Sequence, residues 1–254
     1  MTRPTIDLSG RTALVTGGGI GIGRAIARAL AEAEADVVVT YQSNDGEAVA
    51  DAIRQAGGHA QAYRLDAADS ADVERVVGLA ADALDGRIDI LINNVGGLIA
   101  THEVAAMSDE HWRRVVDLNL SSAFYCSRAV LPHMPDGGRI VCVSSLAARN
   151  GGAPGSVAYA TAKAGLFGFV RGLAKEVGPR GITVNAIAPG LILDTPFHAT
   201  FTPEERQQAT IAATPLRRAG YPDDCAGAVL YLVSDLASFA TGAVIDVNGG
   251  SYFG

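Results

Sequence analysis

Cysteine is scarce in this chain of 254 residues: there are three, Cys126, Cys142 and Cys225, at long spacings and in no CxxC pair. An odd count without a paired spacing excludes a disulfide framework and a zinc knuckle, and fits a reducing compartment. Lysine is scarcer still. Only Lys163 and Lys175 stand among the 20 basic residues, the rest being arginine. A net charge of −7 excludes the basic excess of a nucleic-acid-binding surface. No apolar run approaches the ~18 residues of a membrane span. Met1–Arg11 has no apolar core of the secretory kind. The five histidines show no metal-ligand spacing, so no metal is expected. The expectation is therefore a cytoplasmic protein with no membrane or nucleic-acid partner. Glycine, by contrast, is abundant: 30 residues, about 12% against a usual ~7%. That excess points to tight turns and close backbone approaches.

Short apolar runs alternate with helix-length segments. The strand candidates are 12–16, 36–41, 60–65, 88–93, 139–144, 182–188 and 243–247. They are rich in Val, Ile and Leu without strict alternation, as expected of parallel strands covered on both faces. Helical patterns run over 21–34, 47–56, 70–84, 109–131, 157–177 and 223–233. This order predicts an α/β fold, a doubly wound parallel sheet with helices on both faces. With no composition break or internal repeat, residues 1–254 read as a single domain. The stretch 191–215, with Thr202-Pro203-Glu204-Glu205 as a helix start, reads either as a substrate lid or as an ordinary surface connection.

The first strand runs into Thr16-Gly17-Gly18-Gly19-Ile20-Gly21-Ile22-Gly23 and then a helix. Small residues let the backbone close on a phosphate, and the helix N-terminus favours an anion. The strict GxGxxG spacing is not met. Gly18 and Gly23 have P-loop separation, but Arg24 and Ala25 follow instead of Lys and Ser/Thr, which rejects NTP hydrolysis. A dinucleotide site that takes NAD carries an acid near the end of the second strand. Here that strand ends Thr40-Tyr41-Gln42-Ser43-Asn44, with no carboxylate at 40–42. The gap leaves room for a 2′-phosphate, to which Ser43 or Asn44 can donate, although no Arg or Lys sits in the turn. The expectation is NADP(H) over NAD(H). Asp66, after the third strand, is placed either to accept from an adenine amino group or to cap the next helix.

Tyr159 and Lys163 stand four apart in a helical segment, on one face. A phenol titrates near ~10, so acid–base work at neutral pH needs a neighbour that stabilises its phenolate, and an ammonium does that. Seven Tyr and two Lys make such a pair roughly a 5% accident, so it persuades only in company. The company is Ser144-Ser145 at the end of the fifth strand, Asn93-Asn94-Val95-Gly96 at the end of the fourth, and Asn119 within a helix. Both strand ends lie at the carboxyl edge, where open α/β sheets bind ligands.

Together with Asn185, Pro189-Gly190, Thr241-Gly242 and Asp246-Val247-Asn248-Gly249-Gly250, these motifs resemble the short-chain dehydrogenase/reductase family from Leu8 to Gly250. The resemblance implies a Rossmann-like, seven-stranded parallel sheet. It implies Tyr159 as general acid or base and Lys163 as the nicotinamide-ribose ligand that lowers the Tyr159 pKa. Ser145 would orient the substrate oxygen, and Asn119 would hold a water that relays protons to Lys163. The cofactor would meet Gly17, Gly19, Ile20, Gly21, Ile22, Tyr41, Ser43, Asn44, Asp66, Asn94, Gly96, Tyr159, Lys163, Pro189, Gly190 and the backbone at Ile192. Two departures stand out. Ser145 to Tyr159 is 14 residues where the family commonly has 13, which leaves the choice between Ser144 and Ser145 open. The threonine usual after Pro-Gly falls one place late, at Thr195, which puts its cofactor contact in question.

The implied reaction interconverts a ketone and a secondary alcohol. Candidate substrate-lining segments, 97–101, 146–157 and 191–207, mix apolar residues with Arg149, Asn150, Asp194 and His198. The segment before the serine strand, His133–Gly138, has no Lys or Arg beside it unless Arg180 lies near. An acidic carrier protein would profit from such a patch. This favours a small free substrate, sugars and polyols included, over a carrier-bound 3-oxoacyl thioester. A non-catalytic nucleotide sensor is the remaining reading, and it does not need the Tyr–Lys pair. A homotetramer or homodimer is expected by resemblance, with Tyr252 and Phe253 either at its interface or capping the chain's own core.

Overall fold

A computed structural model describes residues 6–43 and 45–254. Among them seven strands form one parallel sheet: β1 (Thr12–Val15), β2 (Asp36–Tyr41), β3 (Ala60–Arg64), β4 (Ile90–Asn93), β5 (Arg139–Val143), β6 (Thr183–Pro189) and β7 (Val244–Val247), in the order 3-2-1-4-5-6-7. The seven expected strands are all present, with ends differing by one or two residues. From β1 the chain winds outward through β2 and β3, then crosses back to β4 and winds the other way. That reversal between β1 and β4 opens a crevice at the carboxyl edge.

Successive residues of each strand point to opposite faces, and both faces are apolar, which is why the strands read as unbroken hydrophobic runs. Val15, Val37, Val39, Ile92 and Val141 pack against α1 (Gly21–Glu32), α2 (Gly46–Gln55) and a late helix, Pro222–Val233. Leu14, Val38, Leu91, Ile140 and Val184 face the other way, against α3 (Ser70–Ala83) and later helices described next. Asp45 caps α2 by accepting from the Ala48 N–H, and Asp69 caps α3 by accepting from the Ala71 N–H.

The long helix expected over 109–131 is interrupted. It runs as α4 (Asp109–Val116), a π turn over Asp117–Ser121, and α5 (Ser122–Val130). The extra residue in the turn brings Asn119 inward, where its Nδ2 donates to the Val115 and Gly97 carbonyls at 2.9 Å each. Beyond β5 come a short helix absent from the sequence reading, α6 (Ala147–Asn150), and then α7 (Val157–Val177), as expected. The stretch 191–215 folds into α8 (Pro196–Phe201) and α9 (Glu204–Ala213), followed by α10 (Pro222–Val233). No helix among the described residues is long and apolar enough to cross a membrane.

At the amino edge, Asp89 joins β1 to the segment entering β4. Its buried carboxylate accepts from Arg87 Nε and Nη2 (2.9 and 2.5 Å), from Thr12 N and Oγ1 (3.1 and 3.0 Å) and from Arg11 Nη1 (3.3 Å). Burial pushes the acid up, but these donors outweigh it and hold it below the usual carboxylate range. A depressed folded-state pKa gives stability that is complete above the unfolded value and is lost as pH falls through the folded one. Asp89→Asn is expected to cost about 2 kcal/mol in urea unfolding at pH 7, leaving the buried donors half-satisfied. The difference from the parent should shrink below about pH 4. An equal cost at pH 7 and pH 3 would show that the charge is not what holds this corner.

Candidate active site

The crevice is framed by backbone. Thr16 Oγ1 donates to the Ile92 carbonyl at 3.1 Å and accepts from the Asn94 and Val95 N–H groups at 3.0 and 3.3 Å. Asn94 Nδ2 in return donates to the carbonyls of Thr16 and Gly17, at 3.0 and 3.1 Å. From β2, the Thr40 hydroxyl and carbonyl accept the N–H groups of Gly17 and Gly18. The glycine loop is thereby fixed from both sides. Gly17 stands at φ +64°, and a Cβ at Gly23 would lie 2.3 Å from the Gly17 carbonyl oxygen, so neither place tolerates a side chain.

The helix that follows begins without a cap. Ile20 makes no side-chain bond, the first turn of α1 holds no acid, and the first helical bond is Arg24 N–H to the Ile20 carbonyl. Helical N–H groups ahead of Arg24 therefore face the crevice with the positive end of the helix dipole, the arrangement that receives a phosphate. Gly17, Gly19, Ile20, Gly21 and Ile22 all line a cavity of about 590 Å³.

Tyr41, Ser43, Asn94, Gly96, Ser145, Tyr159, Lys163, Pro189, Gly190 and Ile192 line the same cavity. Asn119 does not. It is buried behind Gly96 and Gly97, and its Oδ1 accepts from the Gly97 N–H at 2.9 Å. A Cβ on Gly96 would stand 2.6 Å from both Asn119 Oδ1 and Lys163 Nζ. The loop after β4 thus reaches both side chains, and only glycine permits it. Asp66 is exposed between two lining residues, Leu65 and Ala67, with its carboxylate accepting from the Ala68 N–H at 3.1 Å. The cap of α3 is Asp69, not Asp66. Asn44 lies outside the described residues.

The two serines divide. The Ser144 hydroxyl is buried and donates to the Lys163 carbonyl at 2.8 Å, whereas Ser145 faces Tyr159. Between Ser145 and Tyr159 the chain forms α6 and passes three left-handed glycines, Gly151, Gly152 and Gly155. Lys163 Nζ donates to the Val143 carbonyl at 2.9 Å and sits 5.9 Å from the Tyr159 ring centre. Burial pushes the Lys163 ammonium down to about 8. Burial also pushes the Tyr159 phenol above its ordinary value, with Ser145 pulling the other way. The sign is opposite to the lowering expected from Lys163: desolvation of the phenolate is the largest cause, and the Lys163 ammonium is turned to the Val143 carbonyl.

Three contacts settle what the sequence did not. Arg64, at the end of β3, donates from Nε to the Gln42 carbonyl at 3.2 Å, which puts a cation beside the turn that has none of its own. Thr195 reaches the glycine loop despite its shift, since a Cβ on Gly21 would meet its methyl at 3.5 Å. Asp194, at φ +57°, supplies the turn that allows this. Phe197 of α8 lies against Tyr159, with ring centres 5.5 Å apart. The first follows from the pairing of β3 with β2, which sets Arg64 beside Tyr41; the other two follow from how α8 folds back. Conversely Arg180 lies at the amino edge, donating to Asp136 and to the Leu131 and Met134 carbonyls, remote from the cavity.

A parallel sheet with a glycine loop, a switch-point cavity and a Ser–Tyr–Lys cluster defines a dinucleotide-dependent oxidoreductase. The family model described as enoyl-(acyl carrier protein) reductase matches residues 18–252. The 3-oxoacyl-(acyl-carrier-protein) reductase of Escherichia coli is 39% identical over 250 residues, 97% of this chain and 99% of that one. The 7alpha-hydroxysteroid dehydrogenase of Escherichia coli is 39% identical over 248 residues, 96% of this chain and 95% of that one. A solved short-chain dehydrogenase from Burkholderia cenocepacia in complex with NADP superposes with a TM-score of 0.89 at 35% identity, covering 96% of this chain and 98% of that one. The chain belongs to the short-chain dehydrogenase/reductase family. It is an oxidoreductase acting between CH–OH and C=O with NAD(P)(H).

Gly96→Ala tests the packing of the site. The added methyl has to displace Lys163 or Asn119, so turnover should fall at least tenfold while thermal unfolding of the variant stays cooperative. Unchanged turnover would mean that the loop after β4 is free to retreat.

Proposed function

We propose that the chain transfers a hydride between NADP(H) and a small free ketone or secondary alcohol, with Tyr159 moving the proton. The observation that carries this reading is the convergence of Ser145, Tyr159 and Lys163 on one cavity that opens onto the uncapped start of α1. The residues present fit a dinucleotide: free N–H groups for its phosphates, Tyr41 and Ala67 at the adenosine end, Lys163 within reach of the nicotinamide ribose. When bound, the nicotinamide gives the hydride in reduction and takes it in oxidation. Ser145 orients the carbonyl oxygen by hydrogen bonding, and Tyr159 Oη delivers the proton to that oxygen. With its pKa raised, the phenol is protonated at neutral pH, the state that reduction uses. Lys163 below its pKa of about 8 is a cation, and it supports the negative charge left on Oη. Asn119 fixes the Gly96–Gly97 loop against Lys163 and is a positioning residue in this scheme.

The cofactor preference rests on charge. No carboxylate stands at 40–42 to repel a 2′-phosphate, Ser43 lines the cavity, and Arg64 sits on the Gln42 carbonyl beside it. A cytoplasmic location accords with three free, buried cysteines. A homo-oligomer is supported by the exposed Trp112 of α4 and Phe124 of α5, and by Phe253, which is exposed and caps no core of its own chain. Light scattering on the purified protein tests this, and a monomer would overturn it. The lid reading of 191–215 is supported by α8, whose side chains line the cavity.

Titration followed by nicotinamide fluorescence should give tighter binding of NADPH than NADH, with Arg64→Ala weakening NADPH about fivefold to tenfold and leaving NADH unchanged. Equal loss for both cofactors would remove Arg64 from the 2′-phosphate site. Tyr159→Phe should bind NADPH normally and lose at least about 100-fold in turnover. Ketone reduction by the parent should decline as pH rises above about 8, where Lys163 loses its charge. A rate that climbs through that range would contradict the proton assignments.

A further inference from the structure

We propose that α8 makes the site selective for ketones bearing an aryl or similar planar apolar group, held by Phe197 and Phe201. This rests on the hydride-transfer reading above and narrows its substrate. Beside Tyr159 the cavity wall is Leu98, Ile99, Phe197 and Phe201, backed by the buried Val115 and Ala158. The Phe197 ring centre lies 5.5 Å from that of Tyr159 and 5.5 Å from that of Phe201, the planes tilted by 38° and 59°. Tilted aromatic pairs at that separation are favourable. A planar group whose carbonyl reaches Tyr159 Oη moves Phe197 off the Tyr159 ring and stacks on it instead, so a like contact replaces the one lost. Ile99, in the same cluster, is held at φ +63°, a conformation that β-branched residues avoid, and it lines the cavity nevertheless.

The charged and amide side chains that the sequence offered for a polyol are elsewhere. Arg149 is paired with Asp246 at 3.2 Å, and neither it nor Asn150 nor Asp194 lines the cavity. Among the described lining residues Lys163 is the one charged side chain. His198 reaches the wall, but its Nδ1 is engaged by the Thr202 hydroxyl at 2.9 Å. Of the α8 side chains on the wall Thr200 alone offers a hydroxyl, so a substrate with several extra hydroxyls would bury some of them unpaired, which is costly, whereas an aryl group would not. A carrier-bound thioester also finds no cation at this wall to greet an acidic partner.

The test compares kcat/KM with NADPH for four probes: acetophenone, 2-butanone, fructose and a 3-oxoacyl thioester. The parent should prefer acetophenone over the other three by at least tenfold. Phe197→Ala should raise KM for acetophenone about tenfold with little change for 2-butanone, and Phe197→Tyr, which keeps the ring, should restore it. NADPH affinity, read by fluorescence, should be unchanged in both variants. A parent that prefers fructose or the thioester overturns the aryl assignment and leaves hydride transfer standing. So does a Phe197→Ala that weakens acetophenone and 2-butanone alike. A parent that binds NADPH yet reduces no carbonyl probe overturns both.

Discussion

The hydrogen bonds between Thr16 and Asn94 are the constraint on which the rest of the site depends. β1 and β4 pair as neighbours, but the chain leaves their carboxyl ends toward opposite sides, and the loops there need something to hold them together. Here the Thr16 hydroxyl takes two N–H groups from the loop after β4, and the Asn94 amide takes two carbonyls from the end of β1. Backbone groups that would otherwise be orphaned at the edge of the sheet are satisfied across the crevice rather than by water. The glycine loop, the open N-terminus of α1 and the approach of Gly96 to Lys163 all take their positions from these bonds.

Burial then sets the chemistry. Lys163 is almost wholly buried, tied by Nζ to a carbonyl at the end of β5, and its cation is held at a cost that shows as a pKa of about 8. Tyr159 is pushed the opposite way by the same desolvation. Both shifts favour the neutral form, so the phenol keeps its proton at pH 7 and the ammonium stays close to titration. The fold places the two groups on one helical face, and the surrounding apolar packing decides their protonation. The same apolar wall, continued by α8, shapes what can stand beside Tyr159.

Much of this was legible in the chain. The strands showed because both their faces are covered, so that Val37–Val39 or Leu91–Ile92 must be apolar at every place. Tyr159 and Lys163 showed because i, i+4 spacing is a local property of a helix, and the rarity of lysine made the second stand out. The interruption at Asp117–Ser121 did not show, since the local sequence suits an ordinary helix and the π turn is selected by what Asn119 finds in the loop at Gly97. Ser145, which the resemblance favoured, is the serine beside Tyr159, but the physical reason for that choice was beyond the sequence. Ser144 and Ser145 differ by which face of a strand end they occupy, and only the packing of α7 takes up the hydroxyl of the first.

The sequence by itself determined the doubly wound sheet, the glycine loop and the helix face that carries Tyr159 and Lys163, because each is written in spacings of a few residues. Tertiary structure decided the rest. It brought Arg64 from the neighbouring strand to a turn that has no basic residue, and carried Thr195 back to the glycine loop through the left-handed turn at Asp194. It also laid Phe197 on Tyr159 and sent Arg180 to the far edge of the sheet. These are contacts between segments distant along the chain, fixed by strand order and by where a short helix can pack, and no local pattern encodes them.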